Sequence, residues 1–191
     1  IEVREIAKMG RAAVDSNQIF IDGLMVPDGH RIGEEGKGFS YLLDSLNPER
    51  ILIAAEALGI GKTALRRAVE YAGQRVVFDR PIGRNQSIQH PLAENWVELE
   101  AASLLIAKAA HLYDSGAPSG GMANAAKYFA AEAGFKAATQ AVMTLGGMGY
   151  AKEYHVERLL RESLIPRLAP VSAQMVLNYI AERVLGLPKS Y

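Results

Sequence analysis

The sequence predicts a mainly α-helical protein, an antiparallel four-helix bundle preceded by a short β segment. From residue 47 onward, apolar side chains recur at steps of three and four, which is the spacing of one helix face. The first 27 residues hold short apolar runs separated by turn residues, which is typical of strands. The loops between the predicted helices are short, and short loops join antiparallel neighbours.

The β segment contains a predicted hairpin. In QIFIDGLMVP two apolar runs meet at Asp22-Gly23, a dipeptide that accepts the positive φ of a tight turn. The glycine-rich stretch RIGEEGKGF then leads into the helices. We therefore divide the chain into residues 1–33, a remnant of a β domain, and residues 34–191, a helical domain. Because Ile1 already reads as strand interior, we expect the chain to be a piece of a longer protein.

The first long helix is predicted to begin at Asn47 as its cap, with Pro48 at the first helical position, where its missing N–H would be unpaired in any case. The later helices are predicted around Leu92–Tyr113, Met122–Leu145, Glu153–Ser163 and Ser172–Leu185. The predicted buried stripes are Ile51, Ala55, Leu58, Leu65, Val69 and Ala72 in the first helix and Leu92, Trp96, Leu99, Ser103, Ile106, Ala110 and Tyr113 in the second.

The composition excludes several classes of function. Lys+Arg and Asp+Glu both number 21, so the zero net charge argues against a nucleic-acid binder. No apolar run is long enough to span a bilayer, and the absence of cysteine excludes disulfides and thiolate metal sites. The four histidines are not spaced as metal ligands, so we predict no metal site. A cytoplasmic location is the default expectation.

Two short motifs could carry chemistry. In LGGMGY, Gly146 and Gly147 either stop a helix or let backbone N–H groups approach a flat or phosphorylated ligand. Glu49 is either an acid placed favourably at a helix start or, if the pair Glu49-Arg50 lies at a buried edge, a base with a raised pKa. Residues alone leave both alternatives open.

The order of the motifs resembles the acyl-CoA dehydrogenases. RIGEEGKGF, ER at a helix start, YAGQRVVFDRPIGRNQSIQHPLA and AVMTLGGMGYAKEYHVERLLRES follow one another over nearly the whole chain. The resemblance implies an FAD enzyme with an N-terminal helical domain, a middle β domain and a C-terminal four-helix bundle. This chain corresponds to the end of the β domain and the bundle, so alone it is expected to be inactive.

The resemblance also implies a reaction and partners. A base removes the α-proton of an acyl-CoA thioester, the β-hydride passes to FAD, and electrons leave through an electron-transfer flavoprotein. FAD lies between the β domain and the bundle, with its adenine end reaching a neighbouring subunit. Apolar faces meant for the flavin and the missing domains would drive association, so we expect a homodimer or homotetramer.

The family's functional residues map onto positions of this sequence. Arg50 matches the arginine beside the substrate thioester. The residues that match the family's flavin contacts are Arg75, Phe78, Gln86, Gly146, Gly147, Ser172 and Gln174. Two positions depart from the family pattern: Asp79 replaces the glycine after Phe78, and Met143 replaces a glutamine just before the glycine pair.

The usual catalytic base is missing from the stretch RESLIPRLAPVSAQM. In most family members a glutamate lies two residues before the Thr-x-Gln motif, which here is Ser172-x-Gln174, and that position is Pro170. Neither Ala169 nor Val171 can abstract a proton. A minority of the family, resembling the isovaleryl-CoA type, carries the glutamate directly before the arginine of the first bundle helix. Glu49 fits this placement and is the predicted base.

Other functions stay open at this stage. Pro170 and Met143 are also compatible with a non-catalytic scaffold or a subunit without a base in a mixed oligomer. A third alternative is a relative that performs other flavin chemistry, such as an oxidase. The sequence does not determine the length or branching of the acyl chain.

Overall fold

The computed structural model describes residues 1–190. It divides them into two compact units, Ile1–Ser45 and a second unit that begins at Leu46. Helix α1 (Gly38–Gln74) runs across this division. The boundary predicted after residue 33 therefore stays a prediction about the domains of the whole protein.

The first unit contains one antiparallel pair of strands. Strand β1 (Glu2–Glu5) pairs with β2 (Asn17–Phe20), with Glu2 opposite Phe20. The hairpin predicted at Asp22-Gly23 is wrong, because β2 pairs with β1, the strand before it, and no further strand is present in the rest of Ile1–Ser45. Gly23 does adopt a turn conformation, with φ of +59°. The Asp22-Gly23 dipeptide therefore predicted the local backbone conformation correctly, but it did not predict which strand pairs with β2.

The second unit is a helical bundle, as predicted. After α1 it contains a small hairpin of β3 (Val76–Val77) and β4 (Arg80–Pro81), and then α2 (Gln86–Asp114), α3 (Gly120–Leu145), α4 (Val156–Glu162), α5 (Ile165–Leu168) and α6 (Ala173–Tyr179). Helix α3 lies beside α1 in the same direction, since Gly120 lies near Asn47 and Gly134 near Gly61. The fourth position of the bundle is filled by three short helices in series, α4 to α6, rather than by one.

The predicted start of the first long helix is wrong. Helix α1 begins at Gly38, nine residues before the predicted cap, and Pro48 lies in its interior. Pro48 lacks one N–H, so the helix loses one backbone hydrogen bond there, but the regular turns before and after Pro48 keep α1 continuous. Asn47 does not cap α1; its side-chain oxygen accepts a hydrogen bond of 2.9 Å from Arg50 Nη1.

The buried faces of α1 and α2 differ from the predicted stripes. Val69 and Trp96, both predicted to be buried, are more than half exposed. The residues of α1 that are buried are mostly small: Ala54, Ala57, Gly61, Ala64, Ala68 and Ala72. The cause is the close approach of α3, since a Cβ added at Gly134 would lie 2.5 Å from the carbonyl oxygen of Ala57. Such an approach leaves room only for small side chains.

The ends of the helices follow the predicted signals more closely. Gly146, with φ of +60°, ends α3. Helix α4 begins at Val156 instead of Glu153, because His155 adopts a left-handed conformation before it. The hydroxyl of Ser172 caps α6 by accepting from the N–H of Met175. The helix continues as a π-helix, Ile180–Val184, and the chain turns at Gly186 with φ of +70°.

No helix among residues 1–190 is long and apolar enough to cross a membrane.

Candidate functional site

A group of polar side chains, three of them buried and one half-buried, lies where the Asn47–Arg50 turn of α1 meets the start of α3. We call it the polar cluster, and it consists of Asn47, Arg50, Asn124 and Lys127. Arg50 is 9 % exposed, and Asn124 and Lys127 are each 1 % exposed. The Asn124 amide donates to the carbonyl of Gly120 at 2.8 Å. Buried polar groups of this kind require partners. Asn47 accepts from Arg50 within the cluster, whereas Asn124 and Lys127 donate to backbone carbonyls outside it.

Two cations are buried in the polar cluster. Burial lowers the pKa of Arg50, and Coulombic interactions with Tyr179 and with Glu49 oppose that shift. Burial also lowers the pKa of Lys127, the charge of Arg50 lowers it further, and Glu132 acts in the opposite direction. Arg50 Nε is buried without a hydrogen-bond partner among the described residues. The cluster is therefore electropositive, and its positive charge favours an anion or a carbonyl oxygen nearby.

Glu49 precedes Arg50 in the interior of α1, so helix-start electrostatics do not account for it. Its side chain is exposed, whereas that of Arg50 is buried. The expectation that both residues lie at a buried edge is thus correct for Arg50 and wrong for Glu49 in this chain. The Glu49 carboxylate is therefore accessible from outside the chain, whereas the Arg50 guanidinium next to it in the sequence is largely covered.

The segment between α5 and α6 contains Pro170 at the usual position of the base. The structure ties this segment to α3, because Lys127 Nζ donates a hydrogen bond of 2.6 Å to the carbonyl of Val171. Ser172 follows directly as the cap of α6, and Gln174 lies exposed in its first turn. The two residues expected to contact FAD at this position therefore lie together at one helix start.

A second group of expected FAD contacts lines a surface cavity of about 380 Å³. Arg75 follows the end of α1 and meets Gly146 and Gly147 there, although 71 positions separate Arg75 from Gly146 in the sequence. A Cβ added at either glycine would meet no atom within 4 Å. The backbone at this turn is therefore open to a ligand, and the residues present fit a dinucleotide.

Phe78 and Gln86 lie on the connection that follows Arg75. Phe78 and Asp79 both have positive φ, +52° and +60°, which is the geometry of a type I′ turn between β3 and β4. Asp79 thus adopts a left-handed conformation, which glycine takes up without steric cost. The Phe78 ring is 93 % exposed and Gln86 is the exposed first residue of α2. Neither lines the cavity that Arg75 shares with the glycine pair.

No metal centre is visible in the described part of the chain, where no three His, Asp or Glu side chains are grouped to hold an ion.

Comparison with known proteins identifies the family. Residues 36–185 match the model of the acyl-CoA dehydrogenase C-terminal domain. The chain belongs to the acyl-CoA dehydrogenase family.

Individual acyl-CoA dehydrogenases support this assignment. Acyl-CoA dehydrogenase FadE12 of Mycobacterium tuberculosis is 46 % identical over 176 residues, which cover 91 % of this chain and 45 % of the relative. An acyl-CoA dehydrogenase of Bacillus subtilis is 41 % identical over 94 % of this chain and 47 % of its own. The structure of butyryl-CoA dehydrogenase from Megasphaera elsdenii matches with a TM-score of 0.91 and 36 % identity, covering 95 % of this chain and 48 % of that one. The chain thus spans about half the length of these relatives.

Sequence reasoning missed Lys127 and Asn124 in this acyl-CoA dehydrogenase chain. A signal was present, because Lys127 lies at helical spacing between Ala123 and Ala130 in an otherwise apolar stripe. A lysine within such a stripe is buried only where its ammonium group forms a hydrogen bond or an ion pair. The partner, the carbonyl of Val171, lies 44 residues away and could not be read from the local pattern.

Proposed function

We propose that this chain is part of an FAD-dependent acyl-CoA dehydrogenase in which Glu49 removes the α-proton of an acyl-CoA thioester. The observation that carries the proposal is the placement of an exposed Glu49 carboxylate directly before the buried guanidinium of Arg50 on α1. The segment 166–172, which usually supplies the base, contains no acid.

The residues have complementary roles in this reaction. The Glu49 carboxylate forms an O–H bond as the α-C–H bond breaks, and the released electron pair forms the α,β double bond while hydride leaves the β-carbon. Arg50 lies beside the thioester, where its positive charge favours the negative charge that develops on the carbonyl oxygen. FAD, when bound, supplies the acceptor for the β-hydride.

The expected FAD contacts form two groups in this chain. Ser172 and Gln174 lie at the start of α6, and Arg75, Gly146 and Gly147 line or border the cavity at the end of α3. We propose that the first group contacts the flavin of the same subunit and that the second contacts the adenine end of FAD in a homo-oligomer. Phe78 and Gln86 would join the second group.

The decisive experiment is Glu49→Gln in the full-length enzyme with a good acyl-CoA substrate. Glutamine keeps the shape and hydrogen-bonding capacity but removes the basicity. Flavin reduction in stopped flow should fall by about 10²–10⁴-fold, as is typical for loss of a general base. FAD should stay bound, and substrate affinity should stay within about tenfold.

Glu70→Gln is the matched control, because Glu70 is another exposed acid of α1 and forms a surface ion pair with Arg66. It should reduce its flavin at the parent rate. A Glu49→Gln enzyme that also reduces its flavin at the parent rate would mean that the base lies elsewhere.

A subunit without a base is the second candidate function, and Pro170 is the observation that favours it. The parent full-length protein distinguishes the two. A yellow protein that bleaches with an acyl-CoA supports the dehydrogenase. A yellow protein that no acyl-CoA bleaches supports the subunit without a base, and rapid reoxidation by oxygen indicates an oxidase.

We also propose an electron-transfer flavoprotein as the electron acceptor. If this is correct, substrate-reduced enzyme should be reoxidised faster by that partner than by oxygen in a stopped-flow comparison.

A further inference from the structure

We propose that Lys127 is a positioning residue that fixes the start of α6 through the carbonyl of Val171 and thereby places Ser172 and Gln174 for FAD. This inference rests on the proposed function, because it assigns to Lys127 the placement of residues expected to contact the cofactor.

The first argument is the cost of burying Lys127. Its side chain is 1 % exposed on the inner face of α3, between alanines that are themselves buried. An ammonium group removed from water is expensive unless it is well paired. The hydrogen bond to Val171 runs to a neutral carbonyl, and the nearby charge of Arg50 repels the ammonium. A methionine or leucine would pack this position at lower cost, so stability alone does not explain a lysine here.

The second argument is the geometry of the bond. The distance of 2.6 Å from Lys127 Nζ to the Val171 oxygen is that of a short charge-assisted hydrogen bond. Val171 is followed directly by Ser172, whose hydroxyl caps α6 and whose carbonyl accepts from the N–H of Val176 at 3.1 Å. Because Ser172 is the next residue, fixing the Val171 carbonyl also fixes the backbone at the start of α6.

The third argument is the weak hydrophobic attachment of α6. The helix has seven residues, and Val176 is its one buried residue. Met175 and Leu177 on either side are almost half exposed. Val176 anchors the helix, and farther along Tyr179 lies against Gly120 of α3. Both contacts lie C-terminal to the cap at Ser172, so the segment just before α6 depends on the anchor that Lys127 provides.

Lys127 also links the two halves of the proposed active site. It belongs to the same buried polar cluster as Arg50, the residue proposed to lie beside the thioester, and the two charges interact. The same side chain holds the segment that carries the proposed flavin contacts. Substrate and cofactor must be aligned for hydride transfer, and small displacements cost large factors in rate.

The experiment compares Lys127→Met with Lys136→Met in the full-length holoenzyme. Lys136 lies on the same helix α3 but is exposed and forms surface ion pairs with Glu94 and Glu98. Lys127→Met should keep its circular dichroism and melt within a few degrees of the parent, because an apolar side chain of similar volume replaces a buried charge. Its Kd for FAD should rise at least tenfold, and flavin reduction at saturating FAD should slow at least tenfold. Lys136→Met should match the parent in both measurements.

A second variant keeps the inference testable if Lys127→Met does not fold. Lys127→Gln keeps a neutral hydrogen-bond donor, but its side chain is shorter, so the hydrogen bond to the Val171 carbonyl should be lost. Its circular dichroism should match the parent, and its Kd for FAD should rise at least threefold.

The outcomes separate this inference from the proposed function. Parent affinity for FAD and parent reduction rate in Lys127→Met would overturn the inference alone, as would an unchanged Kd for FAD in Lys127→Gln. A Lys127→Met variant that melts much earlier but binds FAD normally while folded would make Lys127 a purely structural residue. A parent protein that binds no FAD would overturn the proposed function and this inference with it.

Discussion

Helices α1 and α3 contact each other in two chemically opposite regions. In the middle of the bundle they meet through a seam of small residues, in which Ala57 and Gly61 face Gly134. At one end the same two helices meet through the polar cluster of Asn47, Arg50, Asn124 and Lys127. The seam contains no polar side chain, whereas the cluster buries two cations.

The difference shows that the seam of small residues stabilises this bundle, whereas the polar cluster contributes little to its stability. Close packing of small residues brings the helix backbones together and maximises dispersion contacts. Buried cations contribute little net stability, since their desolvation offsets their interactions. The polar cluster adjoins the proposed active site, so we expect substitutions in the seam to reduce stability and substitutions in the cluster to reduce function.

The largest expected effect in the seam is that of Gly134→Ala. The new Cβ would lie 2.5 Å from the Ala57 carbonyl oxygen, which is backbone and can move only with the helix. We expect a loss of about 3 kcal/mol in the free energy of unfolding, at the upper end for overpacking. Urea unfolding of the full-length protein measures it.

Gly59→Ala is the matched control for this prediction. Gly59 is an exposed glycine of α1, and a Cβ there would meet no atom within 4 Å. Alanine should stabilise the helix by about 0.5–1 kcal/mol. If both substitutions stabilise the protein, the helices are not in close contact at Gly134.

A second prediction concerns Asn95, a buried amide that lies outside the polar cluster. It is 1 % exposed on α2, and neither polar atom of its amide has a hydrogen-bond partner among the described residues. Asn95→Leu should therefore raise the free energy of unfolding by about 1–2 kcal/mol. Asn124→Leu, at equal burial, should lower it, because it removes the hydrogen bond that the Asn124 side-chain amide donates to the Gly120 carbonyl. A loss of stability in Asn95→Leu would show that its amide is hydrogen-bonded in solution.

A smaller effect is expected for Ser172→Ala. The cap bond from the Met175 N–H to the Ser172 hydroxyl is long, at 3.4 Å, so its loss should cost about 0.5 kcal/mol, at the low end for helix caps. FAD affinity should fall more than this value implies, since the hydroxyl is also a proposed cofactor contact. Urea unfolding and FAD titration together test the prediction, and equal losses in both would assign Ser172 a capping role only.

The last prediction concerns how the contribution of Lys127 to the free energy of unfolding depends on pH. Burial lowers the pKa of Lys127 in the folded state below its usual value of 10.5. Between the two pKa values the unfolded chain therefore holds more protons than the folded chain, and the free energy of unfolding contributed by Lys127 rises with pH in that window. The stability of the parent relative to Lys127→Met should increase from neutral toward alkaline pH. A difference that is constant or decreases would contradict the lowered pKa.

Several features of this protein were determined by the sequence itself. The apolar periodicity of the chain after residue 47 determined the long helices, and Gly146 and Gly186 marked ends that depend on positive φ. The missing acid at Pro170 and the adjacent Glu49-Arg50 pair were likewise visible as residue types at fixed positions. These features are local, because they depend on a residue and a few neighbours along the chain.

Other features were decided only by the tertiary structure. Pro48 is the strongest local signal for a helix start, yet α1 continues through it, because one lost N–H is a small cost against regular turns on both sides. Val69 and Trp96, which were predicted to be buried, are exposed, and the buried positions of α1 are mostly alanine or glycine. The reason is that the distance between two helices depends on the residues of both. Lys127 lies in an apolar stripe of α3, but its hydrogen-bond partner, the Val171 carbonyl, is 44 residues away in the sequence. A residue's burial and its hydrogen-bond partner depend on what packs against it, and local sequence does not contain that information.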